Sequence, residues 1–355
     1  MIDQQTYTLN WIETISKRYK NADKILIEKA IRALTLLTDL KDTELDFIFK
    51  GGTALMLMLK EPKRLSIDID IIAPNKEQNL ENFLNAIVEK GNFNRFEEQA
   101  RFVNSQIEKA HYKFFYTPTY KTHSDEEYIL LDILFENNPY SKLTEIPISS
   151  PLLSMKDEPA SVKVPTFENI LGDKLTAFPP NTTGIPYYKS NRSMSMEIMK
   201  QLYDIGNLFN VVTDVNQIKE TFSKIAQNEL IYRHLPSLTP NEVLNDIIQT
   251  ALCISTRGKA GECNFPEIQK GIERLKQFII SDRFLIDNAI LAASKAAYIS
   301  TLIKIGITEI QRFDNETNLS ELIIENPTYN KLNKLKKNNR EAFWYWWNVF
   351  NNSEI

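Results

Sequence analysis

The spacing of apolar side chains divides this chain into a mixed first half and a helical second half. Ile25, Leu26, Ala30, Leu34 and Leu37 recur at helical intervals and predict helix across residues 8–40. The next segment, Phe47-Ile-Phe-Lys-Gly-Gly-Thr-Ala-Leu, leads to Arg64-Leu-Ser-Ile-Asp-Ile-Asp-Ile. It predicts a strand, a glycine turn, a helix and a second strand over residues 46–73. Leu80, Phe83, Leu84 and Ile87 share one face of a helix expected over 76–90. Two further strands are expected over 98–117 and 127–136, the second reading Tyr128-Ile-Leu-Leu-Asp-Ile-Leu-Phe. Prolines punctuate a connection from Pro139 to Pro165. From Thr166 the periodicity is helical to the end, interrupted most clearly by the loop Asn181-Thr-Thr-Gly-Ile-Pro. There is no internal repeat.

The pattern predicts an α+β fold. A mixed sheet flanked by helices, with N-terminal helices before it, would occupy residues 1–165. A mainly α-helical domain over 166–355 would follow and close the active-site cleft. The boundary falls between residues 150 and 185.

Composition adds limits. With 355 residues, 43% hydrophobic and 25% charged, the chain has the make-up of a globular protein with room for two domains. The net charge of −4 means that nucleic-acid binding would need a local basic patch. Cys253 and Cys263 form no Cys-x-x-Cys, so a disulfide framework is not expected and a reducing compartment is. His111, His123 and His234 give no zinc spacing. The N-terminus lacks a signal-peptide pattern, and no apolar run is long enough for a membrane span. The expected location is therefore cytoplasmic, with no membrane partner.

The candidate chemistry starts at Asp68 and Asp70. Two residues apart on a strand, they face the same way, with Cα atoms about 6.6 Å apart, while Ile67, Ile69 and Ile71 face a core. Two carboxylates so placed can share a divalent metal, and the Gly51-Gly52-Thr53 turn opening a helix can hold phosphate. Asp132 lies within the apolar run Leu130-Leu-Asp-Ile-Leu. A buried, uncompensated carboxylate is costly, and a metal shared with Asp68 and Asp70 would compensate it. The plain alternative is one exposed position on an otherwise buried strand.

Three more residues draw attention. Lys174 shares a helix face with Ile170, Leu171 and Phe178. It either snorkels to water or reaches a phosphate. Lys200 and Asp204 are four apart on a helix whose packed stripe is Ile198, Leu202, Ile205 and Phe209. Their base-before-acid order is the weaker one for a surface pair, which favours a pair facing a cleft. The stretch from Lys331 to Trp347 mixes lysines with tryptophans. It reads as a helix with a solvated basic face and an aromatic core face rather than as a nucleic-acid site.

Lys50-Gly-Gly-Thr-Ala-Leu, Arg64-Leu-Ser-Ile-Asp-Ile-Asp-Ile, the Asp132 strand, Glu168-Asn-Ile-Leu-Gly-Asp-Lys-Leu and Lys200-Gln-Leu-Tyr-Asp-Ile occur in this order. Over residues 45 to 210 the chain thereby resembles the AbiEii/AbiGii toxin family, nucleotidyltransferase-like proteins of the DNA polymerase β-type superfamily. The resemblance implies a nucleotidyltransferase-type sheet and a metal-dependent transfer of NMP from an NTP. Gly51, Gly52, Thr53 and Ser66 would bind the nucleotide. Asp68, Asp70 and Asp132 would hold Mg²⁺ or Mn²⁺, and Asp132 would activate the attacking hydroxyl. Lys174 and Lys200 would touch phosphate, with Asp204 completing the last motif. The acceptor would be an RNA end such as tRNA, or a protein. The setting would be a toxin–antitoxin or phage abortive-infection system with a cognate antitoxin protein. Two alternatives use the same site: a catalytically silent nucleotide-binding protein, and a phosphotransferase that moves the γ-phosphate.

Overall fold

The computed structural model describes residues 1–20, 22–74, 80–99, 108–121 and 124–352. They fall into two compact units, Met1–Thr166 with Gln277–Asp282, and Phe167–Lys276 with Arg283–Ile355.

The first unit begins with helices α1 (Leu9–Arg18) and α2 (Lys24–Lys41). The helix expected over 8–40 is thus two helices. Lys20 adopts a positive φ of 55°, which ends the first, and the Asp23 carboxylate accepts the Leu26 N–H at 3.0 Å, which starts the second. The polar residues between them resolve the break, which apolar spacing alone passes over.

Then come β1 (Ile48–Lys50), α3 (Gly51–Met58), β2 (Ile69–Ala73), α4 (Leu80–Glu89), β3 (Arg95–Glu98), β4 (Glu108–Tyr116) and β5 (Glu127–Phe135). The sheet order is β1-β2-β5-β4-β3, with β2 parallel to β5 and the other pairs antiparallel. A parallel pair needs a crossover, and α4 with the β3–β4 hairpin supplies it. Leu36, Leu37 and Leu40 from α2 join Leu84 and Ile87 from α4 in a core with Ile69, Ile71, Leu131, Ile133 and Phe114. Ile69 and Ile71 face this core as their alternation predicts, while Ile67 is half-buried ahead of the strand. The strand expected over 98–117 is β4 in its described part, with β3 just ahead of it; residues 100–107 lie outside the described residues, as do His123 and the first residues of the helix expected from 76. The proline-punctuated connection holds an unexpected antiparallel ribbon, β6 (Leu143–Pro147) with β7 (Ser161–Pro165). Its prolines lie at strand ends, where a missing N–H costs least.

Asp39, on the core-facing side of α2, is buried, and that burial pushes its carboxyl up to about 6. The folded chain therefore holds this proton more tightly than the unfolded chain does. Stability at this residue should fall as pH rises from about 4 to about 6 and then level off. Asp39→Asn should flatten that part of a stability–pH curve, measured by urea midpoints. An unchanged curve would remove Asp39 as its source.

The second unit contains α5 (Phe167–Ala177), a short hairpin of β8 (Tyr188–Lys189) and β9 (Arg192–Ser193), α6 (Ser195–Phe209), α7 (Val215–Tyr232), α8 (Pro240–Ser255), α9 (Phe265–Leu275), α10 (Ile286–Ile305), α11 (Leu335–Asn338) and α12 (Arg340–Asn352). Helix α10 is buried nearly all round and packs against α6, α8 and α12. Its alanines permit close approach: a Cβ at Gly206 of α6 would lie 2.9 Å from the Cβ of Ala292. The aromatic residues of α12 face inward, with Phe343 and Trp346 fully buried and the Trp346 indole donating to Ser255 Oγ at 2.9 Å. The loop at Asn181–Thr182 is fixed by Asp246, which accepts from the Asn181 backbone and side chain and from the Thr182 hydroxyl.

One expectation is overturned. Cys253 and Cys263 are joined by a disulfide, with Cα atoms 5.7 Å apart. The chain leaving α8 turns back at once, so two cysteines with no motif spacing meet. Among the described residues, no helix is long and apolar enough to cross a membrane.

Candidate active site

The candidate site in the first unit is assembled by the register of its sheet. Lys50 on β1 pairs with Asp70 on β2, Asp70 with Asp132 on β5, and Asp132 with His111 on β4. Cross-strand partners share a face, so a row of cation, carboxylate, carboxylate and imidazole crosses four strands. Neighbouring strands lie about 5 Å apart, so Asp70 and Asp132 would repel each other without compensation. On one side Asp132 Oδ1 meets His111 Nδ1 at 2.6 Å. On the other, Lys50 Nζ sits 5.9 Å from the Tyr140 ring centroid.

The start of α3 provides the second half of the site. Lys50 is its N-cap and gives no side-chain cap, so the first-turn amides are not satisfied in that way. Gly51 has φ +81°, a conformation that favours glycine, and a Cβ there would collide with the Asp70 carboxylate. A Cβ at Gly52 would lie 2.6 Å from the Arg64 guanidinium and 2.7 Å from Ser66 Oγ. The two glycines thus let an acid, a guanidinium and a hydroxyl approach the positive end of a helix. Amides, guanidinium and hydroxyl gathered at one helix start are donors suited to phosphate oxygens.

Thr53 is fully buried, and its hydroxyl donates to the Asp68 carbonyl at 2.6 Å. It ties the first turn of α3 to the segment carrying the acids. Asp68 itself lies one residue ahead of β2, so only Asp70 of the pair has a strand register.

In the second unit, Lys174 of α5 and Asp204 of α6 form an ion pair at 3.1 Å, with side chains only 10% and 3% exposed. The sequence suggests Lys200 as a partner of Asp204; the structure brings Lys174 to it from the neighbouring helix. Ile170, Leu171 and Phe178 are buried beside Lys174, so its amine turns to a carboxylate within the unit.

Sequence reasoning missed His111, and passed over Lys50 and Arg64 although both stand inside quoted motifs. Register makes His111 and Lys50 visible, and the space at Gly52 does so for Arg64. The acids are hard oxygen donors suited to Mg²⁺ or Mn²⁺. Among the described residues, no three His, Cys, Asp or Glu side chains converge as a ready ligand set. Substrate oxygens and water would have to complete the coordination.

The family model described as nucleotidyl transferase AbiEii toxin, type IV toxin–antitoxin system, matches residues 35–265. No curated protein sequence matches the chain. Among solved structures, a candidate nucleotidyltransferase from H. pylori is 14% identical, covering 78% of this chain and 92% of its own, at a TM-score of 0.40. The protein JHP933 from Helicobacter pylori is 13% identical, covering 81% and 92%, at 0.38. An antigenic nucleotidyltransferase-like protein from Paracoccidioides brasiliensis is 15% identical, covering 58% and 91%, at 0.34.

Proposed function

The chain belongs to the AbiEii nucleotidyltransferase toxin family, and from that premise we propose that it transfers an NMP from an NTP to an acceptor hydroxyl on RNA. The observation that carries this reading is the Asp70–Asp132 neighbour pair beside the glycine-opened start of α3. Asp68, Asp70 and Asp132 would hold Mg²⁺ or Mn²⁺, which when bound neutralises triphosphate charge. The α3 amides at Gly51 and Gly52, with Arg64 and Ser66, hold phosphate oxygens. Thr53 keeps the acidic segment against α3. The acceptor oxygen attacks the α-phosphorus, the bond to the β-phosphate breaks and pyrophosphate leaves. The acceptor proton passes to the Asp132 carboxylate. By the family resemblance, Lys174 and Lys200 would serve the nucleotide phosphates, with Asp204 holding Lys174. Residues 1–165 would form the catalytic domain, with residues 166–355 as a separate, mainly helical domain.

His111 acts through Asp132 as a positioning residue, fixing Oδ1 so that the other oxygen meets the acceptor. His111→Leu should lower kcat about 10- to 100-fold with little change in the NTP KM, whereas His111→Asn, whose amide nitrogen approximates Nδ1, should restore most of it. Equal losses in both variants would make the histidine a packing residue.

As a family toxin the protein would act where NTPs and RNA are found, in the cytoplasm, with a cognate antitoxin and a role in phage abortive infection. The Cys253–Cys263 bond removes cysteine usage as support for that location. The reading is tested by product: pyrophosphate with RNA-bound label supports it, and nucleoside diphosphate assigns the site to phosphotransfer instead.

A further inference from the structure

The second unit holds a cavity of about 310 Å³, lined among others by Arg257, Lys259, Lys331, Lys334, Asp287 and Ile290. Four cations face one carboxylate there, in a chain whose net charge is −4. Asp287 is engaged by Arg257 at 2.9 Å. Lys259, Lys331 and Lys334 make no ion pair among the described residues. Three uncompensated amines around one concavity repel each other, and an anion between them relieves that repulsion. The volume lies at the lower end for small-ligand sites and suits one nucleotide unit. Ile290, buried at the floor, and Leu335 offer an apolar surface to a base or ribose.

The backbone that carries two of the cations is also held in place. Arg257 and Lys259 lie in the loop closed by the Cys253–Cys263 disulfide. Within it Thr256 Oγ1 donates to the Ala260 carbonyl at 2.9 Å and accepts the Ala260 N–H at 3.0 Å, while the Gly258 N–H reaches the Cys253 carbonyl at 2.8 Å. Lys331 and Lys334 come from the basic segment before α12, whose sequence reads as a solvated face. Tertiary structure gathers two of those lysines with the disulfide loop, which no local pattern predicts.

We infer that this cavity binds a phosphate and its nucleotide unit within a single strand of RNA. The choice of RNA rests on the nucleotidyl-transfer reading; the binding of a phosphate rests on the cavity. The test is fluorescence anisotropy of a short labelled single-stranded RNA with the full chain, without NTP, over about 50–200 mM salt. The triple variant Lys259→Gln/Lys331→Gln/Lys334→Gln should weaken binding at least about tenfold. It should reduce the slope of log K against log salt by about 0.7, the contribution of one phosphate contact on a single strand. The matching Lys→Arg variant should bind as wild type does, and thermal melts confirm that both are folded. Unchanged affinity and slope in the folded triple variant, or no RNA binding by wild type, overturns the inference. Weakened ATP binding with RNA binding untouched also overturns it, in favour of a mononucleotide site. A chain that binds RNA here yet transfers nothing leaves the inference standing and refutes the function, so the two fail separately.

Discussion

Asp70→Asn is expected to eliminate nucleotidyl transfer with little change in stability. Asp70 stands in register between Lys50 and Asp132, beside the residue whose missing Cβ makes room for its carboxylate. In the proposed function it holds the cation that offsets triphosphate charge, a contribution of several kcal/mol to the transition state. A loss of about 4 kcal/mol corresponds to about a thousandfold in rate. Stability should change little. Asp70 is flanked by a cation, Lys50, and a like charge, Asp132, so neutralising it removes an attraction and a repulsion together and stability should stay within about 1 kcal/mol. Such a split, with activity lost and stability kept, marks a residue retained for chemistry. Thermal melts of the two proteins beside their transfer rates check this. A parallel loss of stability and activity would make Asp70 a structural group.

Asp204→Ala is expected to give the largest loss of stability of any single change in the second unit. Lys174 and Asp204 are both buried, and each neutralises the other across α5 and α6. Removing the acid leaves an ammonium in an apolar setting among Ile170, Leu171 and Phe178. Breaking one partner of a buried pair costs about 3–5 kcal/mol. Replacing both, as in Lys174→Met/Asp204→Leu, should restore most of that stability, because the desolvation of both charges is removed as well. The double variant should nonetheless remain impaired in transfer if Lys174 serves the phosphates. Urea denaturation of the single and double variants settles the energetics. A single-variant cost below about 1 kcal/mol would class the contact with exposed pairs.

The legible parts of this molecule are those encoded over short range. Asp68 and Asp70 stand out because a strand repeats every two residues, and Gly51-Gly52 because a helix start needs a turn. Asp132 stands out because charge is rare in so apolar a run. The helical second half is visible in residues such as Ile198, Leu202, Ile205 and Phe209, all fully buried. What stayed hidden depends on pairing between distant segments. Nothing around His111 marks it; it becomes a partner of Asp132 only through the β4–β5 register. Lys174 and Asp204 meet because two helices pack, so helical spacing directs attention to Lys200 instead. The Cys253–Cys263 bond depends on a sharp return after α8. The β6–β7 ribbon is masked by prolines, which argue against strands except at the ends where these lie.

The most direct test of the proposed function incubates the protein with total tRNA, Mg²⁺ and each NTP labelled at the α-phosphorus, beside the Asp70→Asn variant. Label appearing on RNA with wild type, stoichiometric pyrophosphate and no label with the variant are the predicted results. Nucleoside diphosphate in place of pyrophosphate, or equal labelling by the Asp70→Asn variant, would contradict it.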